Sequence, residues 1–129
     1  LGFYLTCGVI AAIVHMFFNY DSAIPTVGAS GAIAGVMGAY LIKFPRAYIH
    51  TLVFVFVFIT TVDIPAVAIL LYWFVMQLFS GYGSIAHTHV SDAGVAWFAH
   101  IGGFVGGMIL INVMGTRTRY FPRRRDIYW

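Results

Sequence analysis

Long stretches of apolar residues without any charge limit most strongly what this chain can fold into. Residues 1–20 contain no Asp, Glu, Lys or Arg, and similar stretches cover residues 28–42, 64–80 and 95–115. Of the 129 residues, 61% are hydrophobic and 9% are charged, whereas soluble domains carry roughly 25% charge. Runs of about 20 apolar residues are typical of membrane-spanning helices. The sequence therefore excludes an ordinary soluble domain and predicts about four transmembrane helices.

The second apolar stretch, residues 28–42, is short for a full crossing. A hydrocarbon core of about 30 Å needs about 20 helical residues, at 1.5 Å each. We therefore expect this helix to begin inside the membrane, after a loop that dips into it.

The positions of the basic residues predict how the chain is oriented. Lys43, Arg46 and the cluster at 117–125 share one face if residues 47–62 do not cross the membrane. The positive-inside rule makes that face cytoplasmic. Residues 47–62 include an alternation of Val and Phe that suits a strand as well as a helix. We predict a hairpin or an amphipathic segment there, on the cytoplasmic face.

The same pattern divides the chain into two parts. Residues 1–116 would form the membrane domain, and residues 117–129 would form a basic cytoplasmic tail. We expect the tail to contact anionic lipid head groups and not nucleic acid. No charged segment precedes the first apolar stretch, so we expect no signal peptide within these residues. Because the sequence begins with Leu1, we expect it to be a fragment of a longer membrane protein.

Two polar residues within the apolar stretches are candidates for chemistry, because such groups are costly in a membrane. Ser30 lies at the start of the second stretch, where a helix N-terminus leaves backbone N–H groups that can stabilise an oxyanion. His100 lies in the fourth stretch. From the helical rise, the two residues stand roughly 20 and 26 Å above the basic residues that end their helices. They are therefore expected at similar depths.

Glycines predict that the two helices approach closely. Gly31 follows the serine, while Gly103 and Gly107 share a helix face with His100, and small faces allow close backbone contact. We predict a dyad in which the histidine takes the proton of the Ser30 hydroxyl and returns it to the leaving amine. No carboxylate is placed to orient the histidine, so a dyad is favoured over a triad.

Structural alternatives exist for these signals. A serine between glycines often serves helix packing alone, and a histidine near the end of a span often forms interfacial hydrogen bonds. His87 and His89 could bind a metal, but no third ligand is evident, so an outer loop is favoured and neither metal nor cofactor is expected. A transporter or channel is disfavoured, because the apolar stretches contain no Asp, Glu, Lys or Arg.

Two motifs lie at the candidate residues: GASGAIAG at 28–35 and AWFAHIGGF at 96–104. In combination and in spacing they closely resemble the rhomboid intramembrane serine proteases of the bacterial type. The resemblance runs from the first apolar stretch to Gly107. It implies an all-α, polytopic helical bundle with a six-helix core, of which the third to sixth helices are present here. The first two helices would be absent, leaving the site incomplete.

The resemblance also implies roles for individual residues. Ser30 corresponds to the nucleophile and His100 to the base. The glycines correspond to residues that support the oxyanion site and the close helix contact: Gly28, Gly31, Gly103 and Gly107. His15 and Asn19 have the His-x-x-x-Asn spacing of the family's oxyanion donors. That pair belongs to the helix before this one in the family, so we interpret the match as coincidental and expect a polar helix end.

The function implied is an intramembrane serine endopeptidase that cleaves transmembrane segments of other membrane proteins near their outer ends. The implied location is the bacterial cytoplasmic (inner) membrane, crossed several times, with lipids and transmembrane proteins as partners. The alternative is a catalytically inactive relative that binds transmembrane clients. Such relatives typically lack the serine or the histidine, and this chain retains both.

Overall fold

Each apolar stretch of the sequence forms a helix. The computed structural model describes residues 1–20, 28–55, 58–86 and 96–114. Within them lie four helices and two strands, in the order α1 (Gly2–Phe18), α2 (Ser30–Lys43), β1 (Tyr48–Val55), β2 (Phe58–Pro65), α3 (Ala66–Ala86) and α4 (Trp97–Val113).

The helices differ in how far they can reach across a membrane. α3 contains an 18-residue stretch, Ala66–Gly83, that is long and apolar enough to cross. α1 and α4 have 17 residues each and α2 has 14, which corresponds to about 25 and 21 Å. Among the described residues, length and composition thus mark one spanning helix and three shorter apolar helices. The second helix is short, as the sequence predicted.

The segment between α2 and α3 corrects the prediction of an all-α fold. β1 and β2 pair along their whole length as an antiparallel hairpin. The N–H of Ala66 donates to the carbonyl of Ala47 at 2.8 Å, so the two ends of the hairpin lie side by side. β-branched and aromatic residues favour strands, and β2 continues to Pro65, which delays the start of α3 to Ala66. The prediction of a hairpin in this segment agrees with the structure.

α4 packs against all three other helices. Phe18 at the end of α1 stacks on Phe98 near the start of α4, with ring centroids 4.7 Å apart. Phe74 of α3 stacks on Phe104 of α4, with centroids 4.5 Å apart. Gly81, later in α3, lies beside the ring of Phe98, earlier in α4. α1 and α3 therefore run antiparallel to α4.

Small residues fill the contact between α1, α2 and α4. Cys7 and Ala11 are the buried residues of α1, and α2 buries only glycine and alanine. A β-carbon added to Gly35 would lie 2.5 Å from the β-carbon of Cys7. Large apolar side chains instead point outward, such as Phe17 and Tyr72. Helices in lipid are expected to pack in this way, through their small faces.

Candidate active site

The N-terminus of α2 presents both a hydroxyl and backbone N–H groups that no carbonyl of the same helix accepts. Ser30 is the first residue of the helix and is exposed, and the first N–H groups of a helix have no intrahelical partner. Gly28 lies two residues before Ser30 and has a φ of +158°, a conformation that residues with a side chain rarely adopt. A β-carbon on Gly28 would stand 3.6 Å from Ser30 Oγ. Glycine there keeps the approach to the hydroxyl open.

His100 reaches this hydroxyl from the first turn of α4. Its backbone N–H donates to the carbonyl of Ala96 at 3.1 Å, which fixes the residue within the helix. Its Nε2 lies 2.8 Å from Ser30 Oγ. The structure thus brings together the two residues that the sequence singled out, 70 positions apart.

Glycines allow this approach, as the sequence predicted. A β-carbon on Gly103 would overlap the carbonyl oxygen of Gly31, and one on Gly107 would overlap that of Gly35. The four glycines face each other in the same order along both helices, so α2 and α4 run parallel. Parallel helices in backbone contact hold the serine and the histidine at the same height.

A third side chain, not predicted from the sequence, contacts the histidine. Gln77 of α3 places its Oε1 2.8 Å from His100 Nδ1. The glutamine is buried, with 6% of its surface exposed. The signal in the sequence was an amide within the long apolar stretch of α3, where a polar group is costly unless it has a partner.

Two tryptophans flank the same imidazole ring. The ring centroid of Trp73 lies 5.7 Å from that of His100, and Trp97 lies at 6.5 Å with its plane nearly perpendicular. The histidine is therefore held between aromatic side chains from α3 and α4. Trp97 and His100 are neighbours on the surface of α4 at i and i+3, whereas the contact with Trp73 could not be predicted, because the sequence does not define how α3 is rotated.

The His-x-x-x-Asn match lies at the end of α1. Asn19 is the C-terminal capping residue of this helix, and its Nδ2 donates to the carbonyl of His15 at 3.1 Å. This geometry agrees with the interpretation of a polar helix end. His87, His89 and the basic tail at 117–129 lie outside the described residues, so the expectations for them stay predictions.

Comparison with known proteins identifies the family of the chain. Residues 1–117 match the family described as the Rhomboid domain, which covers most of the chain and confirms the resemblance found in the two motifs. The chain matches no curated protein and no solved structure. Rhomboid proteins are integral membrane proteins, typically serine intramembrane proteases, and the apolar helices described above fit such a protein. The chain belongs to the rhomboid family.

Proposed function

We propose that this rhomboid protein is an intramembrane serine endopeptidase with Ser30 as nucleophile and His100 as general base. The observation that carries the proposal is the 2.8 Å contact between Ser30 Oγ and His100 Nε2. A hydroxyl and an imidazole within hydrogen-bond reach are the arrangement that activates a serine. The contact lies at a helix N-terminus, where backbone donors are available for a developing negative charge.

The reaction requires two proton transfers at His100 for each half of the cycle. Ser30 Oγ attacks the carbonyl carbon of the peptide bond while its proton moves to His100 Nε2. The oxyanion accepts a hydrogen bond from the backbone N–H of Ser30. When the C–N bond breaks, the histidine returns the proton to the leaving amine, and an ester on Ser30 remains. A water then gives a proton to His100 and attacks the ester. As the C–O bond to Ser30 breaks, the histidine gives that proton to Ser30 Oγ, which regenerates the hydroxyl and releases the carboxylic acid.

The position of the site within the helices supports transmembrane segments of other proteins as substrates. Ser30 is the first residue of α2, and His100 is the fourth of α4. Both therefore lie near the same end of the bundle, where the end of a transmembrane segment can reach them from the lipid. The carbonyls of an intact helix are hydrogen-bonded, so cleavage near small or helix-weakening residues is favoured.

The proposed orientation places this end of the bundle on the outer side. Lys43 ends α2 at the opposite end, and the positive-inside rule supports a cytoplasmic position for it, for Arg46 and for the tail at 117–129. We assign residues 1–116 to the membrane domain of a multi-pass protein of the bacterial cytoplasmic membrane. Lipid head groups are the proposed partners of the tail.

Labelling with a fluorophosphonate, which reacts with activated serines, tests this function. The full-length protein in membranes is compared with Ser30→Ala, His100→Ala and the matched control Ser80→Ala. We expect equal labelling of the unmodified protein and Ser80→Ala, none of Ser30→Ala, and a rate at least about 100-fold lower for His100→Ala. Absence of labelling in a folded, unmodified protein would instead favour the inactive relative that binds transmembrane clients.

A further inference from the structure

Gln77 has a position that packing alone does not explain. It is the one polar side chain among the described residues that is buried, and it lies in an apolar helix. Burying an amide costs free energy unless it forms hydrogen bonds. Its Oε1 meets His100 Nδ1 at 2.8 Å, on the opposite side of the ring from the contact with Ser30.

The chemistry of the amide determines which nitrogen of His100 carries the proton. In this structure the amide turns its oxygen to the ring, and because an amide oxygen only accepts hydrogen bonds, His100 Nδ1 is the donor in this orientation. In the neutral ring, Nε2 then has a lone pair and accepts the hydrogen bond from the Ser30 hydroxyl. This is the tautomer that a general base requires. The other tautomer would point an N–H at the serine and leave two acceptors facing each other at Nδ1.

We propose that Gln77 is a positioning residue that holds His100 in the Nδ1–H tautomer and stabilises its protonated form during the reaction. The inference rests on the proposed function of Ser30 and His100. It makes the site a Ser–His–Gln arrangement in which the glutamine acts only through the histidine.

A neutral acceptor suits this location better than a carboxylate. Ionised groups buried in an apolar bundle pay a large desolvation penalty, whereas an amide carries a strong acceptor dipole without net charge. Trp73 lies four residues before Gln77, on the same helix face, and packs on the same imidazole. α3 therefore restricts the orientation of the ring through one hydrogen bond and one aromatic contact.

Two substitutions separate the acceptor from the volume of the side chain. Gln77→Leu removes the acceptor with little change in size, and Gln77→Glu keeps an oxygen at the same reach. Met76→Leu, at an exposed neighbouring position, is the matched control. We expect the rate constant for fluorophosphonate labelling of the full-length protein to fall about 10- to 100-fold in Gln77→Leu. Gln77→Glu should lose less than Gln77→Leu, because it keeps an acceptor oxygen but adds the cost of burying a carboxyl group, and the labelling rate of Met76→Leu should not change.

Nitrogen NMR of the full-length protein in nanodiscs, with ¹⁵N-labelled histidine, provides a readout that does not require activity. The signals of His100 are identified by their loss in His100→Ala. We expect the proton on Nδ1 in the unmodified protein and in Ser30→Ala, and a shift towards the Nε2–H tautomer in Gln77→Leu. A proton on Nε2 in the unmodified protein, or the same tautomer with leucine at position 77, would overturn the inference.

The two measurements distinguish the inference from the function on which it rests. Equal labelling rates for Gln77→Leu and the unmodified protein would overturn the role of Gln77 and leave the protease intact. No labelling of the unmodified protein would overturn both the protease and the positioning role, even with the expected tautomer. A fall in the labelling rate of Gln77→Leu without a change in the tautomer of His100 would assign the loss to packing, and that result also overturns the inference.

Discussion

Gly103 of α4 rests directly on the peptide backbone of Gly31 in α2. A β-carbon at position 103 would overlap both the carbonyl oxygen and the carbonyl carbon of Gly31. Gly31 directly follows Ser30, and Gly103 lies one helical turn after His100. The separation of the serine and the histidine is therefore set by contact between two backbones, with no side chain to adjust it.

Gly103→Ala should disrupt the site without changing any group that takes part in the chemistry. The added methyl group forces α2 and α4 apart beside the dyad, and overpacking of this kind typically costs about 1–3 kcal/mol. We expect fluorophosphonate labelling to fall at least about tenfold, together with a lower unfolding temperature.

Gly83→Ala is the control for that substitution, since a β-carbon on Gly83 of α3 would meet no atom within 4 Å. Alanine is also the better helix former. Gly83→Ala should label like the unmodified protein and should not lower the unfolding temperature. Equal labelling and equal unfolding temperatures of Gly103→Ala and Gly83→Ala would show that the backbone contact at Gly103 does not set the separation of the serine and the histidine.

Cys7 should report whether the helices are packed. It is the single cysteine of the sequence, and its side chain is fully buried, with 0% exposed. A membrane-permeant maleimide should leave the native protein unmodified and react completely after denaturation in sodium dodecyl sulfate. Because Cys7 faces Gly35, Gly35→Ala should raise the reaction rate of the native protein. Rapid reaction of the maleimide with Cys7 in the native protein without substitutions would contradict this packing.

The contact between Ser30 and His100 could be predicted from the sequence because each step depended on the regular geometry of a helix. The apolar stretches defined the helices, the helical rise gave Ser30 and His100 similar depths, and glycines marked the faces that meet. The alternation of Val and Phe indicated a hairpin or an amphipathic segment at 47–62, and the structure has a hairpin at 48–65, which the prediction of an all-α fold did not include. Apart from that alternation, the sequence contains no strong signal for two apolar strands that no other layer covers.

Gln77 could not be assigned in the same way. Its partner, His100, lies 23 positions away on another helix, and the outer faces of α3 are as apolar as its inner face. Where lipid surrounds a bundle, hydrophobicity does not define how a helix is rotated. The polar residue itself carried the available signal, since a buried amide requires a partner.

Trp73 and Tyr72 are neighbours in α3 with opposite surroundings. Trp73 lies against His100 and Phe104, at 5.7 and 6.0 Å between ring centroids, whereas Tyr72 is 69% exposed. Trp73→Ala should lower the labelling rate several-fold, because the histidine loses one wall of its packing. The loss of stability should stay below the roughly 3–5 kcal/mol of a soluble core, since lipid can replace part of the contact. Tyr72→Ala should change neither quantity, and an equal loss in both variants would contradict the contact at Trp73.

The hairpin predicts that both of its strands are reached from one side of the membrane. Cysteines are placed singly at Tyr48 and Thr61, both exposed, in a Cys7→Ala background. A membrane-impermeant maleimide is then applied to right-side-out and inverted vesicles. Because the ends of the hairpin are joined through Ala47 and Ala66, the two cysteines should react from the same side. The proposed orientation makes that side the cytoplasmic one, shared with a control cysteine at Arg46. Reaction of Tyr48→Cys and Thr61→Cys from opposite sides would show that the segment crosses the membrane. Reaction of all three cysteines, including the control at Arg46, from the outside would reverse the proposed orientation and leave the hairpin intact.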